Sequence, residues 1–206
     1  MSRSLTRNPN LDLTSPAFHK KLVEAWEQNL GRCSPAFPRD VSWWTGPNPE
    51  DKDCPGRTAD GWIKALRMPN LASCKAAEVI AYFANGWVLT ELLFASLIEE
   101  EAFYRPPYHG LRHPLIFYYV HPAVLYVNKL HVAGLLDDTI NPYFERIFET
   151  GVDEMSWDDF SKNEMHWPDL DACRQYRREV YRVVEALIKK NKGLMGTAQY
   201  SETNPA

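Results

Sequence analysis

His109-Gly110-Leu111-Arg112-His113-Pro114-Leu115-Ile116-Phe117-Tyr118-Tyr119-Val120-His121-Pro122-Ala123-Val124-Leu125-Tyr126-Val127-Asn128-Lys129-Leu130 is the stretch whose reading decides the fold. At about 100° per residue, Pro114, Phe117, Tyr118, His121, Leu125 and Asn128 share one helical stripe, a mostly apolar face with one imidazole and one amide. That face is expected to point inward. Pro114 suits a first turn, where the missing N–H has no intrahelical partner in any case. Pro122 falls mid-helix, removes a backbone hydrogen bond and predicts a kink beside His121. Gly134 closes the element, so the spacing predicts a helix over Pro114–Ala133.

Upstream, a second helix is expected over Lys75–Glu101, opened at Ser73, with Ile80, Phe83, Trp87, Phe94 and Ile98 on one side. Glu91 falls inside that stripe, and burying an unpaired carboxylate is expensive. Arg105, Arg112 and His121 are its candidate partners, and a buried ion pair is favoured over a role behind a metal ligand. The triplet Glu99-Glu100-Glu101 reads as a solvated helix end, against the helix dipole. Arg105-Pro106-Pro107-Tyr108 makes a rigid turn into the central helix.

Downstream, Asn141-Pro142 pairs a cap with a first-position proline, Gly151 stops that short helix, and Ser156 caps another before Pro168. A long helix then covers Asp169–Lys190 with Tyr176, Val180, Val183, Val184, Leu187 and Ile188 inward. Asp153, Glu154, Asp158, Asp159 and Glu164 lack the spacing and glycine of a calcium loop and read as caps and solvated faces.

At the front, residues 1–14 are polar and aperiodic and read as a loose arm. Helix Pro16–Leu30 follows, capped by Ser15 and ended by Gly31, with Phe18, Leu22, Trp26 and Leu30 on one stripe and His19 facing solvent. Residues 32–72 are rich in proline and glycine. Trp43, Trp44 and Trp62 are expected to anchor that segment over the bundle, with a helical turn near Gly61–Met68. A ligand lid is the sharper alternative for it. Residues 193–206 show no apolar period and read as a disordered tail. With no strand alternation and no repeat, the fold class is all-α: one domain over 15–192, an antiparallel four-helix bundle with long connections around Trp87, Phe94, Phe117, Leu125 and Val180.

The 206 residues are 45% apolar with 13% aromatics, enough for a sizeable single core. A formal charge of −4, from 23 basic and 27 acidic residues in no long single-sign block, leaves no footprint for nucleic acid or an anionic bilayer. Cys33, Cys54, Cys74 and Cys173 form no zinc or redox spacing and read as reduced thiols. No apolar run approaches the roughly 18 residues that span a bilayer, and Met1–Asn8 lacks a signal peptide's apolar stretch. The expectation is a cytoplasmic protein with neither nucleic acid nor membrane as partner.

The run from Trp87 to Gly134 includes Trp-Val-Leu-Thr-Glu-Leu-Leu-Phe at 87–94, Glu-Glu-Ala-Phe-Tyr-Arg-Pro-Pro-Tyr-His at 100–109 and Leu-His-Val-Ala-Gly at 130–134. It closely resembles the N-terminal region of the 5-histidylcysteine sulfoxide synthases of ovothiol biosynthesis. So do Val41-Ser42-Trp43-Trp44-Thr45-Gly46 and Phe148-Glu149-Thr150-Gly151-Val152-Asp153-Glu154-Met155-Ser156-Trp157-Asp158-Asp159, and the resemblance covers roughly 36–190. It implies a DinB-like helical bundle, and a Tyr-Tyr-Gly-His-Pro segment that supplies one of three histidines holding a non-haem iron. Tyr118-Tyr119-Val120-His121-Pro122 matches that segment, with valine in place of glycine at 120. His121 is therefore the implied metal ligand and Fe(II) the implied cofactor. Imidazole suits iron, and a facial set of three nitrogen ligands leaves positions open for oxygen and substrate.

The resemblance places the family's other two iron histidines in a His-x-x-x-His helix further along the chain, ahead of a large substrate-binding domain, and no His-x-x-x-His spacing follows His121 in these 206 residues. His109 and His113 are four residues apart, the spacing that puts two ligands on one helix face, but Gly110 lies between them and the helix is expected to begin only at Pro114. His113 and His121 are eight apart, about 80° round the helix. Two expectations follow. In the first, the chain alone neither holds iron tightly nor catalyses, and acts through a protein partner or a homo-oligomer. In the second it is a subunit or fragment of an active Fe(II)/O₂-dependent sulfoxide synthase, which joins cysteine to histidine once another chain completes the site. Ser/His/Asp and Cys/His catalysis lack any local motif to place them.

Overall fold

The computed structural model describes residues 32–33, 40–70, 72–97, 99–108, 112–149 and 166–194. Its frame is three long helices: α1 (Ala76–Ala95), α3 (Leu115–Val132) and α5 (Leu170–Lys190). Two short ones, α2 (Glu101–Tyr104) and α4 (Pro142–Ile147), fill the connections. Strands β1 (Arg32–Cys33) and β2 (Ile63–Lys64) form a two-residue antiparallel ladder, Arg32 opposite Lys64. The expected helix Pro16–Leu30, the arm 1–14, the element capped by Ser156 and most of the tail lie outside the described residues, so the three long helices are what the structure describes of the expected four.

Local chemistry explains the boundaries. Asp169 caps α5 by accepting from Ala172 N at 2.7 Å, and Asn141 caps α4 by accepting from Tyr143 N and Phe144 N. Pro142 occupies the first turn of α4 and Gly134 ends α3 at φ +67°, a conformation that favours glycine. Glu145 returns the cap, accepting from Ile140 N and Asn141 N. The expected Lys75–Glu101 helix ends earlier, at Ala95. Ser96 Oγ donates back to the Leu93 carbonyl at 2.6 Å, which closes the last turn. Glu100 and Glu101 then stand at the start of α2, where acids complement the helix dipole. Gly61–Met68 holds β2 in place of the expected helical turn.

Helix direction follows from the contacts. Phe83 of α1 meets Tyr126 of α3 and Tyr181 of α5, while Phe94 meets Tyr119 and Glu91 meets Arg177. Thus α1 runs antiparallel to both neighbours, whereas α3 and α5 run parallel to each other, which the connection 133–169 makes possible. α5 is the helix on which both α1 and α3 pack.

One core joins all of these elements, with Ile116, Val120, Val124 and Val180 fully buried. Trp87, Phe94, Phe117 and Val180 are buried as expected, but Leu125 is only half-buried. The inward face of α3 is Ile116, Tyr119, Val120, Ala123 and Val127, flanked by Phe117 and Val124. It is rotated from the expected stripe, so Tyr118, His121, Leu125 and Asn128 sit half-buried at its edge. The physical reason is that both sides of this helix are apolar, so period alone leaves its phase to the neighbours' shapes.

Residues 40–66 lie over the bundle, with Trp43 and Trp44 buried and Trp62 half-buried. A 3₁₀ turn at Val41–Trp43, capped by Asp40, starts the anchor. Gly46 is required where it stands: a Cβ there would meet Trp87 Cδ1 at 2.7 Å. Asn85 of α1, itself buried, clamps the same segment. It donates to the carbonyls of Pro55 (2.9 Å) and Lys64 (3.0 Å) and accepts from Leu66 N (2.9 Å).

Candidate functional site

Two polar arrangements stand out against this apolar interior. The first is central. Glu91 is 0% exposed and its partner is Arg177 of α5, 1% exposed, not the expected Arg105, Arg112 or His121. Arg177 Nε and Nη2 donate to Glu91 Oε1 at 2.9 and 2.7 Å, and Nη1 donates to the Tyr119 carbonyl. The guanidinium carbon lies 4.4 Å from the Trp87 ring centre and 4.3 Å from that of Tyr119. Such stacking adds to the ion pair where water is excluded. Thr45 Oγ1 donates to Glu91 Oε1 at 2.6 Å and accepts from Trp87 Nε1 at 2.9 Å, so the anchoring loop closes the network.

Geometry excludes the expected partners. Glu91 faces α5, whereas Arg105 is largely exposed and reaches Glu101 at 3.7 Å. Pro122 removes the helical donor to the Tyr118 carbonyl, whereas the carbonyl that Arg177 reaches is that of Tyr119. Burial above all, then the Glu91 carboxylate, pushes the Tyr119 hydroxyl far above its ordinary range and keeps it protonated.

The second arrangement is at the edge of α3. His121 is half-buried, and its ring stacks on Phe117 at 4.9 Å. Its Nδ1 lies 2.6 Å from the Phe148 carbonyl, at the C-terminal end of α4. A carbonyl only accepts, so Nδ1 carries the proton and donates. The carbonyls of a last helical turn lack intrahelical donors, and His121 satisfies one of them. Its Nε2 makes no hydrogen bond with any described residue. The expectation of an inward ring beside α1 is thus met in part: the imidazole is tucked under α4, not toward α1.

The remaining histidines do not gather around it. Buried His113 packs on the same phenyl ring, Phe117, at 4.3 Å and edge-on to Trp167 at 6.0 Å, so Phe117 stands between the two imidazoles along the helix. His131 Nδ1 sits 3.0 Å from the Leu136 carbonyl at the far end of α3, and His166 is exposed. His19 and His109 lie outside the described residues. Among the described residues no three His, Cys, Asp or Glu side chains form a group able to hold a metal ion. The residues described fit one imidazole ligand of an iron centre, not a centre.

Thiol chemistry finds little support. Cys54, Cys74 and Cys173 are buried, and burial pushes the Cys54 thiol up to about 11 and that of Cys173 to about 12. Neither is a thiolate near neutrality. No helix among the described residues is long and apolar enough to cross a membrane. Arg177 is the residue that sequence reasoning missed. Its signal was present: it falls on the apolar stripe of Cys173, Tyr176, Val180 and Val184, the counterpart of Glu91 on α1. With this geometry in hand, a scan against family models matches none to the chain, and a search of curated proteins finds no match.

Proposed function

We propose that this chain is a helical module of the 5-histidylcysteine sulfoxide synthase type, DinB-like in its bundle. His121 is one imidazole ligand of a non-haem Fe(II) centre completed by another polypeptide, and the chain is non-catalytic by itself. The observation that carries this is the 2.6 Å contact from His121 Nδ1 to the Phe148 carbonyl. Metal-binding histidines characteristically donate their second ring nitrogen to a carbonyl or carboxylate, which fixes the tautomer and aims the other lone pair. Here that leaves Nε2 as the acceptor, on a ring braced by Phe117. The sequence resemblance, Tyr118 to Pro122 above all, supports the choice of iron. The need for a partner rests on ligand count. A single imidazole competes poorly with water, whereas several preorganised ligands share one entropic cost.

The experiment is an anaerobic Fe(II) titration of the chain alone and mixed with a fragment bearing a His-x-x-x-His helix, followed by assay with cysteine, histidine and O₂. Tight iron binding and sulfoxide formation only in the mixture, both lost in His121→Asn, is the expected result. Stoichiometric tight iron and product from the lone chain would make it a complete enzyme. No iron and no product in either sample would leave the module without this function.

A further inference from the structure

We infer that the cleft between α1 and α3 above the Glu91–Arg177 pair is a small-molecule site. Its ligand is an uncharged, apolar and preferably aromatic molecule bearing one carbonyl or amide oxygen. The inference stands apart from the iron reading and does not involve His121.

A cavity of about 280 Å³ opens between the two helices, and Trp87, Gly86, Tyr126, Pro122 and Arg177 are among the residues that line it. A second, strongly apolar cavity of about 330 Å³ continues from it along the helices, and the two share Tyr82, Phe83 and Tyr126. Tyr82 and Tyr126 are 39% and 41% exposed, so the mouth is open while Trp87 and Arg177 lie beneath. This is the usual composition of a ligand pocket, apolar and aromatic walls with very few polar groups to fix orientation.

Donor accounting identifies that polar group. A guanidinium carries five N–H bonds in one plane. Arg177 spends one from Nε and one from Nη2 on Glu91 and one from Nη1 on Tyr119. One hydrogen on Nη1 and one on Nη2 remain, on a side chain that is 1% exposed and lines the cavity. Trp87 and Tyr119 stack against the group, and its N–H bonds lie in its plane, so an acceptor approaches in that plane.

Charge then selects the ligand class. Glu91 already neutralises Arg177, so a carboxylate brought alongside would be an uncompensated buried anion facing Glu91. A neutral carbonyl oxygen accepts the free N–H without that cost, and its apolar remainder fills the aromatic walls.

The test uses three probes of similar size on the intact chain by calorimetric titration: acetophenone with a carbonyl, ethylbenzene with no acceptor, and benzoate with a charge. The control variant is Gly86→Leu. A Cβ at Gly86 meets no heavy atom within 4 Å, so the larger side chain enters the cleft without displacing the helix. Circular dichroism verifies that the variant stays folded. Acetophenone is expected to bind saturably, ethylbenzene about tenfold more weakly for want of one hydrogen bond, and benzoate more weakly still. All binding should vanish in Gly86→Leu. Equal affinity for acetophenone and ethylbenzene would overturn the role of Arg177, and tightest binding of benzoate would overturn the charge argument. Absence of saturable binding by all three probes, or binding that survives Gly86→Leu, would overturn the site.

Discussion

Glu91–Arg177 and His121 differ in how far the protein satisfies them. At the centre, every oxygen of Glu91 and three N–H groups of Arg177 are engaged by side chains or backbone from the loop at Thr45 and from all three long helices. At the edge of α3, one nitrogen of His121 is anchored and the other has no partner among the described residues. A nearly complete polar network inside an apolar core acts as structure, because each member is costly to leave unpaired. A half-complete one, anchored on one side and open on the other, is available for a ligand. The resemblance had pointed to the histidine; the fold spends its strongest polar contacts elsewhere.

The sharpest way to break the comparison is Arg177→Met. It strands the Glu91 carboxylate in a dry interior and should cost about 3–5 kcal/mol in urea denaturation. Adding Glu91→Leu should recover most of that loss, since a buried ion pair and an apolar replacement of similar volume often differ little. If the double variant is as unstable as the single one, the pair does more than neutralise itself. Then the loop at Thr45 and the Tyr119 carbonyl depend on it for position.

Asn85→Ala extends the same logic to a second complete cluster. It leaves the Pro55 and Lys64 carbonyls and Leu66 N without their partner, and should cost about 2–3 kcal/mol. The effect should be local, with backbone amides of 55–66 exchanging faster while α5 stays protected. A uniform loss of protection would show that this segment is part of the cooperative core.

Asp169→Ala, which removes the α5 cap, should cost about 1 kcal/mol. The cap was legible from sequence, like Asn141-Pro142, Gly134 and the tryptophan anchors at 43 and 44, because each depends on a few adjacent residues with one clear job. What could not be read is what distant elements decide. Nothing near Glu91 in sequence names Arg177, 86 positions away. The α1 stop at Ala95 comes from a serine turning back on its own helix, although the apolar pattern runs on. The phase of α3 escaped because Ile116, Val120 and Val124 form as good a stripe as Phe117, His121 and Leu125. Only packing against α5 and α4 separates them. For His121 itself, type and neighbours were legible through a resemblance, while the Phe148 carbonyl that holds it lies on an element whose placement no local pattern states.

The smallest effect on stability is expected from His121→Asn, and it bears hardest on the comparison. Asparagine places an amide N–H close to where Nδ1 stands, so the donation to the Phe148 carbonyl can persist and that buried carbonyl is not orphaned. What disappears is the stack on Phe117, a half-exposed contact, for a loss of about 0.5–1 kcal/mol. His121→Phe reverses the exchange: it keeps an aromatic ring beside Phe117 and removes the donor, and should be the more destabilising of the two. If asparagine costs as much as Arg177→Met, His121 is a core group like Glu91 and the distinction between closed and open polar sites fails. If asparagine is nearly silent in urea but abolishes iron uptake with the His-x-x-x-His fragment, stability and function separate at Nε2, the one ring position that the described protein leaves without a bond.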